Sequence, residues 1–256
     1  MRDEGERGSE VFTISGQLHA ASNQTFLCTD ALDQPFVYKP VKGEQELWDF
    51  PPRTLSGREI AAAELDRVLG WKVVPNTRWI SDGPFGAGMI QEWVPEIDQD
   101  RPVNVFPPSD VPPGWIVVLH AQDAQGVPLV LAHADTHQLQ RMALFDAVIN
   151  NGDRKAGHIL ATPEGRVYGI DHGVSFHVDN KLRTVLWGWI GQPVSDVLLK
   201  DLNHLAQQLN DQYEPVDQWL NTDESAALRA RIRDLSERRV FPSPSPEWPA
   251  IPWPVF

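Results

Sequence analysis

The stretch INNGDRKAGHILATPEGRVYGIDHG, residues 149–173, decides how the rest of this 256-residue sequence is interpreted. It opens with the polar, glycine-punctuated loop NNGDRKAGH, which contains Asp153. Two apolar runs, HILAT and RVYGI, follow on either side of the turn PEGR, and Asp171 comes directly after the second run. Short β-branched and aromatic runs around such a turn predict a strand hairpin. The pattern therefore predicts one carboxylate before a hairpin and a second carboxylate after it.

A second informative stretch lies upstream, VYKPVKGEQELWDFPPRTLSGREIAA, residues 37–62. Lys39 stands at the end of a run, PFVYKPV, that predicts a strand. Prolines then exclude a helix until residue 57, from which apolar residues recur at helical spacing to residue 69. Ser56 and Glu59 fit the pattern of a capping box at the start of this helix. The sequence thus predicts a strand that ends in a lysine, followed by one capped helix.

Phosphoryl transfer from ATP needs a set of charged groups of this kind. A cation holds the phosphates, an acid orients that cation, one carboxylate positions the acceptor hydroxyl, and another holds the metal ion. In chain order the candidates are Lys39, Glu59 or Glu64, Asp153 and Asp171. The helical pattern leaves the glutamate open, because Glu64 falls on the apolar face of the helix and Glu59 falls on the opposite face.

The stretch 149–173 resembles the catalytic core of phosphatidylinositol 3- and 4-kinases and of HipA-type kinases, in which a G-D-R-x-x-x-N loop precedes a hairpin that ends in I-D-x-G. The stretch 37–62 resembles the signature of an actinobacterial family distantly related to these kinases. Similarity to that family covers most of residues 11–193, whereas similarity to the wider superfamily is confined to short motifs. The resemblance implies a two-lobed, protein-kinase-like α+β fold with a β-rich N-lobe that carries one helix and a mixed, mainly helical C-lobe. It also implies that ATP binds between the lobes with a divalent metal, Mg²⁺ or Mn²⁺.

The same resemblance implies roles for individual residues. Lys39 would bind phosphate, and Glu59 would be its partner. Asp153 would be the catalytic-loop aspartate with Arg154 beside it, and Asp171 would bind the metal. The remaining positions are those that would contact ATP, namely Ser22 and Asn23 in the phosphate-covering loop and Gln91, Glu92, Trp93 and Val94 at the adenine ring.

Two features depart from the kinase pattern. His158 occupies the position of the asparagine that supplies the second metal ligand, and imidazole suits Mn²⁺ or Zn²⁺ better than Mg²⁺. The predicted phosphate-covering loop, ISGQLHAASNQ, has no G-x-G-x-x-G motif. Ser22, Asn23 and backbone N–H groups would have to cover the phosphates instead.

The composition excludes some classes of function. With 22 basic and 35 acidic residues the net charge is −13, which disfavours binding to nucleic acid or to an anionic membrane. The single cysteine, Cys28, can form no internal disulfide, and no apolar run approaches the roughly 20 residues that span a bilayer. We therefore expect a soluble, cytoplasmic protein without a membrane span.

Turn signals and composition divide the chain into four parts. We predict a flexible N-terminus over residues 1–10 and an N-lobe over 11–94. The C-lobe, with the catalytic and metal-binding loops, is predicted over 95–240. Residues 241–256 form a proline-rich tail that is expected to be extended and could dock onto a protein partner.

The acceptor of the phosphoryl group is not defined by the sequence. A protein or a small soluble metabolite is favoured over a lipid, because the chain has no polybasic cluster for an anionic membrane. Lys181 and Arg183 follow the metal-binding position, where related kinases place their acceptor-binding segment, so they are candidates for substrate contact.

Two alternative functions remain open at this stage. If His158 marks a lost metal ligand, the chain is a catalytically silent nucleotide-binding module. Alternatively, the histidines could form a metallohydrolase site from His133, His137, His158, Asp171 and His172. Against the second reading, His133 precedes Asp135, which is the predicted N-cap of the next helix, so the first two histidines would not share a helix face.

Overall fold

In the computed structural model, the structure describes residues 12–18, 23–97, 101–210 and 212–256. Ser22, which was predicted to cover the phosphates, lies outside the described residues, and so does the predicted flexible N-terminus 1–10. Asn23 lies within them.

The N-terminal part is built on a five-stranded antiparallel sheet in the order β1-β2-β3-β5-β4. Its strands are β1 Thr13–Gln17, β2 Phe26–Thr29, β3 Pro35–Pro40, β4 Thr77–Gly83 and β5 Gly86–Glu92. The sequence predicts all five, because turn residues separate the β-branched and aromatic runs VFTIS, QTFLCT, PFVYKPV, NTRWI and GMIQEWV.

The two faces of this sheet have different partners, because successive side chains on a strand point to opposite sides. On one face, Phe26, Cys28, Tyr38 and Ile90 pack into a small apolar cluster. Lys39 follows Tyr38 on β3 and therefore points to the other face, where the helix of the N-terminal part lies.

That helix, α1, spans Leu55–Leu69. It ends at Gly70, whose φ of 66° is the left-handed conformation that glycine adopts without strain. Its start differs from the prediction. The carboxylate of Glu44 accepts hydrogen bonds from the first two N–H groups of the helix, at 3.0 and 2.8 Å, and from the Ser56 hydroxyl. The predicted capping box of Ser56 and Glu59 is therefore wrong, because a carboxylate from outside the helix takes these donors.

The following part begins with a three-stranded antiparallel sheet in the order β6-β8-β7. The strands are β6 Val103–Phe106, β7 Trp115–Gln122 and β8 Pro128–Ala134. The alternating runs WIVVLHAQD and VPLVLAHA, joined by AQG, predict a hairpin, and β7 and β8 confirm it. Strand β6 lies in the stretch VPEIDQDRPVNVFPPSDVPPG, whose prolines predict a long connection without a strand. The local pattern could not indicate that β6 pairs with β8.

Helix α2, His137–Ile149, leads into the decisive stretch. Its N-cap is Thr136, whose side chain accepts a hydrogen bond from the Leu139 N–H, rather than the predicted Asp135. Asp135 instead accepts a hydrogen bond from the indole of Trp189. The predicted hairpin follows as β9, Ile159–Ala161, and β10, Val167–Gly169, paired antiparallel.

Three helices complete this part: α3 Asp196–Leu209, α4 Glu214–Asp217 and α5 Thr222–Arg238. The main apolar core gathers around α2 and includes side chains of α1, α3 and α5. Within the described ranges, no helix combines the length and the apolar character needed to cross a membrane.

The proline-rich tail, residues 241–256, forms no helix or strand, as predicted, but it packs onto its own chain. The carbonyl of Ala250 accepts hydrogen bonds from the Thr184 N–H and from the Trp187 indole. The carbonyl of Val255 accepts a hydrogen bond from the Ala156 N–H, within the stretch 149–173. The tail therefore supports the stretch 149–173 by a hydrogen bond.

Candidate active site

The structure brings together three of the charged residues that the sequence analysis singled out. Lys39 Nζ lies 2.7 Å from Glu59 Oε1 and 2.9 Å from Asp171 Oδ1. The Glu59 side chain is 2% exposed, whereas that of Asp171 is 42% exposed and faces a cleft. Glu64, the other candidate partner of Lys39, pairs with Arg67 on its own helix. The ambiguity in the helical pattern is thus removed by the position of α1 against the sheet.

The charges in this triad shift one another's pKa values. Burial would lower the pKa of Lys39, but the carboxylates of Asp171 and Glu59 outweigh it and raise that pKa above its usual range. The Lys39 ammonium holds the pKa of Asp171 well below its usual range. Burial opposes ionisation of Glu59, yet Lys39 and His172 keep its pKa lowered. All three groups are therefore charged at neutral pH.

Asp153 and His158 lie next to this triad. His158 Nδ1 lies 2.9 Å from the Asp153 carbonyl, and His158 Nε2 lies 3.4 Å from Asp171 Oδ2. Because a carbonyl oxygen only accepts, Nδ1 carries the proton in this hydrogen bond, and Nε2 has a free lone pair towards Asp171. Burial lowers the pKa of His158, which favours this neutral form.

Lys155 is a residue of this site that the sequence analysis missed. Its Nζ lies 3.2 Å from Asp153 Oδ2, so it places a second cation at the carboxylate of the loop. The sequence GDRK places Lys155 two residues after Asp153, and this spacing alone could have indicated that the two side chains lie close together.

One cavity of about 140 Å³ brings the triad and Asp153 together, whereas His158 and Lys155 are not among the described residues that line it. Five of the residues that line it come from the predicted set, namely Asn23, Lys39, Glu59, Asp153 and Asp171. The rest of its wall comes largely from residues 44–56, and Asn23 is fixed there because its side-chain oxygen accepts a hydrogen bond from the Gln45 N–H at 2.7 Å. The predicted phosphate, acceptor and metal positions therefore share one space.

The predicted adenine-contacting segment joins β5 to the following part. The Gln91 amide donates to Thr77 Oγ1 at 2.8 Å, and the Glu92 carboxylate accepts from the Asn76 amide at 3.0 Å. Glu92, Trp93 and Val94 line a second cavity, of about 360 Å³, which is also lined by residues of the β9–β10 hairpin and its turn. The segment thus lies between the five-stranded sheet and the stretch 149–173.

Arg154, predicted to be catalytic, lies elsewhere. It is completely buried and pairs with the equally buried Asp146 of α2, with Arg154 Nη2 and Asp146 Oδ1 3.0 Å apart. It also donates to the carbonyl of Ile170 at 2.7 Å, directly before Asp171. Arg154 therefore does not face the cavity and instead fixes the loop and the hairpin to α2.

Lys181 and Arg183, predicted to contact an acceptor, are both engaged within the fold. Lys181 Nζ lies 2.7 Å from Asp49 and between the rings of Trp48 and Trp248, at 5.0 and 4.3 Å from their centres. Arg183 Nε donates to the Gly152 carbonyl at 2.6 Å. The sequence did not indicate this, because the two tryptophans come from distant segments.

The proposed histidine cluster of a metallohydrolase is not assembled. The described part of the chain contains no group of three or more His, Cys, Asp or Glu residues that could hold a metal ion. His133 lies inside the fold, where its Nε2 accepts a hydrogen bond from the Gly188 N–H at 3.1 Å and its ring stacks on Trp189. His133 is therefore a packing residue.

Comparison with known proteins gives the following similarities. No family model matches the sequence. Protein Rv2133c of Mycobacterium tuberculosis is 46% identical to it, over 95% of this chain and 92% of that protein. Among solved structures, the Golgi casein kinase aligns with 90% of this chain and 73% of its own, at 14% identity and a TM-score of 0.50. The Helicobacter pylori proinflammatory kinase CtkA aligns with 91% of this chain and 93% of its own, at 9% identity and a TM-score of 0.45. The likeness to the Golgi casein kinase, together with the sheets and helices described above, confirms the predicted kinase-like α+β fold.

Proposed function

This chain belongs to the family of Protein Rv2133c from Mycobacterium tuberculosis, and we propose that it is an ATP-dependent kinase that transfers the γ-phosphoryl group to a hydroxyl of a protein or small soluble metabolite. The observation that carries the proposal is the shared cavity, into which Lys39, Glu59, Asp153 and Asp171 all open. A cation and two accessible carboxylates in one small space are what transfer of a phosphoryl group requires.

Each residue has a distinct part in the proposed reaction. Lys39, oriented by Glu59, binds the phosphates as a point charge. Asp153 accepts a hydrogen bond from the acceptor hydroxyl, aims its oxygen at the γ-phosphorus and takes up its proton. The new O–P bond forms as the bond between the γ-phosphorus and the bridging oxygen breaks, and ADP leaves with that electron pair. Lys155, beside Asp153, adds positive charge near the transferred group.

The residues present fit a divalent cation on the phosphates. Asp171 supplies a carboxylate that faces the cleft, and His158 supplies a neutral Nε2 lone pair 3.4 Å from it. Bound there, the cation would neutralise charge on the phosphates. One carboxylate and one imidazole favour Mn²⁺ relative to an all-oxygen site, so we propose that the chain accepts Mn²⁺ as well as Mg²⁺.

The proposed acceptor is not a membrane lipid. The net charge of −13 would oppose approach to anionic headgroups, although the sequence motifs resemble those of phosphatidylinositol kinases. The negative charge therefore favours a protein or a soluble metabolite as the acceptor.

A single assay tests the proposal. The purified protein is incubated with γ-labelled ATP and either Mg²⁺ or Mn²⁺, and nucleotide binding, ADP formation and label transfer are recorded together. Slow transfer to water makes ADP formation readable even without the natural acceptor. We expect the wild type to bind nucleotide and to form ADP in a metal-dependent way. In Asp171→Asn we expect less ADP formation and weaker nucleotide binding in the presence of metal. An absence of ATP binding with either metal would overturn the proposal.

A silent nucleotide-binding module is the second candidate. It is favoured by one observation, that Asp171 already contacts Lys39 and His158, both of which a cation would have to rearrange. Nucleotide binding with no ADP formation above that of Asp171→Asn would support this candidate instead.

A further inference from the structure

The helix that carries Glu59 is fastened to the C-terminal helices by the neighbouring residue, Arg58. The Arg58 side chain is completely buried. Its Nη1 donates to the Ser175 carbonyl at 2.6 Å, and its Nη2 donates to the carboxylate of Glu224 on α5. Its guanidinium also lies over the ring of Phe50, 4.7 Å from the ring centre. One side chain therefore links α1, the segment after Asp171 and α5.

Glu59 reaches the same segment by a different bond. Its Oε2 accepts a hydrogen bond from the His172 N–H at 2.9 Å, while its Oε1 holds Lys39. Adjacent residues of α1 thus form hydrogen bonds with residues 172 and 175, on the C-terminal side of Asp171, the proposed metal ligand. Any shift of α1 along or away from this segment would break both hydrogen bonds and separate Glu59 from Lys39.

Other contacts press α1 against the C-terminal helices. A Cβ added to Gly57 would lie 3.0 Å from the Trp219 ring, so the helix and this ring approach as closely as glycine allows. Trp71, just beyond the end of α1, donates its indole N–H to Asp201 of α3 at 2.8 Å. The C-terminal helices therefore pack closely against α1 and restrict its movement.

We infer that Arg58 is a positioning residue for the proposed phosphotransfer, which holds α1 so that the Lys39–Glu59–Asp171 arrangement is built permanently into the fold. The inference rests on the proposed function only for its kinetic consequence. A buried arginine with one carboxylate and one carbonyl partner fixes direction as well as distance, because its planar fork donates to both at once. Lysine at the same position keeps the charge but cannot reproduce the fork.

The chain offers a matched control for this substitution. Arg229 on α5 pairs with Asp217 at 2.7 Å and also donates to the Leu209 carbonyl at 3.1 Å. It makes the same kind of bonds within the C-terminal helices, and its hydrogen bonds go to residues 209, 210, 217 and 225 rather than to α1 or residues 171–175. Arg229 is less buried than Arg58, with 13% against 0% of its side chain exposed, so the losses in kcat are compared together with the measured losses in the free energy of unfolding.

The test combines kinetics with hydrogen exchange on the full chain. Arg58→Lys should lower kcat for ATP turnover by about tenfold or more, and Arg229→Lys by less than about twofold. In a Glu59→Gln background, Arg58→Lys should add less than about a further twofold, because the arginine acts through the glutamate. Amides of α1 should exchange faster in Arg58→Lys than in wild type or Arg229→Lys.

Specific results would overturn the inference. Equal kcat losses in Arg58→Lys and Arg229→Lys, or full additivity with Glu59→Gln, would leave Arg58 as a stabilising residue only. If the wild type turns over no ATP, the proposed function fails and exchange decides alone. Unchanged protection of α1 in Arg58→Lys then refutes the positioning role, and selective loss of protection supports it.

Discussion

Replacing Lys39 by methionine should weaken ATP binding by ten- to hundredfold while leaving the cleft shape largely intact. The Lys39 ammonium is the cation that lines the cavity, and it lies 2.7 Å from the Glu59 carboxylate and 2.9 Å from the Asp171 carboxylate. At about 4 Å and an effective dielectric constant of about 20, one charge pair with a phosphate is worth about 4 kcal/mol. Desolvation of the phosphate and competition from Asp171 reduce this to about 1.4–2.7 kcal/mol, which corresponds to the stated range. Titration calorimetry with ATP measures the effect directly.

Lys42→Met provides the matched control for this prediction. Lys42 lies three residues further along and is exposed, so its removal deletes the same charge from the same part of the chain without emptying the cavity. We expect its ATP affinity to stay within about twofold of wild type, because an exposed charge is screened. Equal affinity of Lys39→Met and wild type, or an equal loss in both variants, would refute the assignment of Lys39 to the phosphates.

The same substitution should change how stability depends on pH. Lys39 lowers the pKa values of Glu59 and Asp171, so in the wild type these carboxylates contribute stability that is present at neutral pH and lost as the pH falls through their folded pKa values. Without Lys39 that contribution disappears. The difference in Tm between wild type and Lys39→Met should therefore be largest near pH 7 and shrink below about pH 4. A difference that stays constant across this range would contradict the charge assignment.

Three further predictions concern the catalytic stretch. Asp171→Asn should abolish phosphoryl transfer and weaken metal binding, while metal-free nucleotide binding persists. Asp153→Asn should lower turnover and leave metal affinity little changed. Equal losses of metal affinity in the two variants, measured by calorimetry, would contradict this division of roles. His158→Asn should shift the metal preference of turnover from Mn²⁺ towards Mg²⁺, and superimposable metal titrations of wild type and variant would remove His158 from the site. Arg154→Leu should lower the free energy of unfolding by about 3–5 kcal/mol, because it leaves the Asp146 carboxylate buried and unpaired. A loss of under about 1 kcal/mol, measured by denaturant unfolding, would contradict that.

Much of the fold could be predicted because its signals are local. Alternating β-branched runs gave the strands of the first sheet, and the hairpin β9–β10 followed from two apolar runs around PEGR. Asp153 and Asp171 were placed on either side of that hairpin by their sequence spacing alone. The structure adds that a hairpin returns its two ends to one place, which is why both carboxylates reach the same cavity.

The features that were missed depend on partners far away in sequence. Glu44 replaces the predicted capping box, and strand β6 exists through its pairing with β8. Lys181 is held by Asp49, 132 residues away, so its sequence neighbourhood could not distinguish a packing residue from a substrate contact. Tertiary contacts override local propensity in such cases, because burial contributes more than the fraction of a kcal/mol at stake in propensity.

The tail has a consequence for how this molecule reaches its native state. The Ala250 carbonyl accepts a hydrogen bond from Trp187, 63 residues away in sequence. The Val255 carbonyl accepts one from Ala156, which closes a still longer loop. Contacts of such high sequence separation form late, because the entropy of closing the loop opposes them before any contact energy is gained. The stretch 149–173 should therefore gain its support from the tail in a later kinetic phase of refolding than its own hairpin β9–β10, whose paired residues are close in sequence. Shortening the tail from its end would slow or remove that phase before it altered the strands of the first sheet.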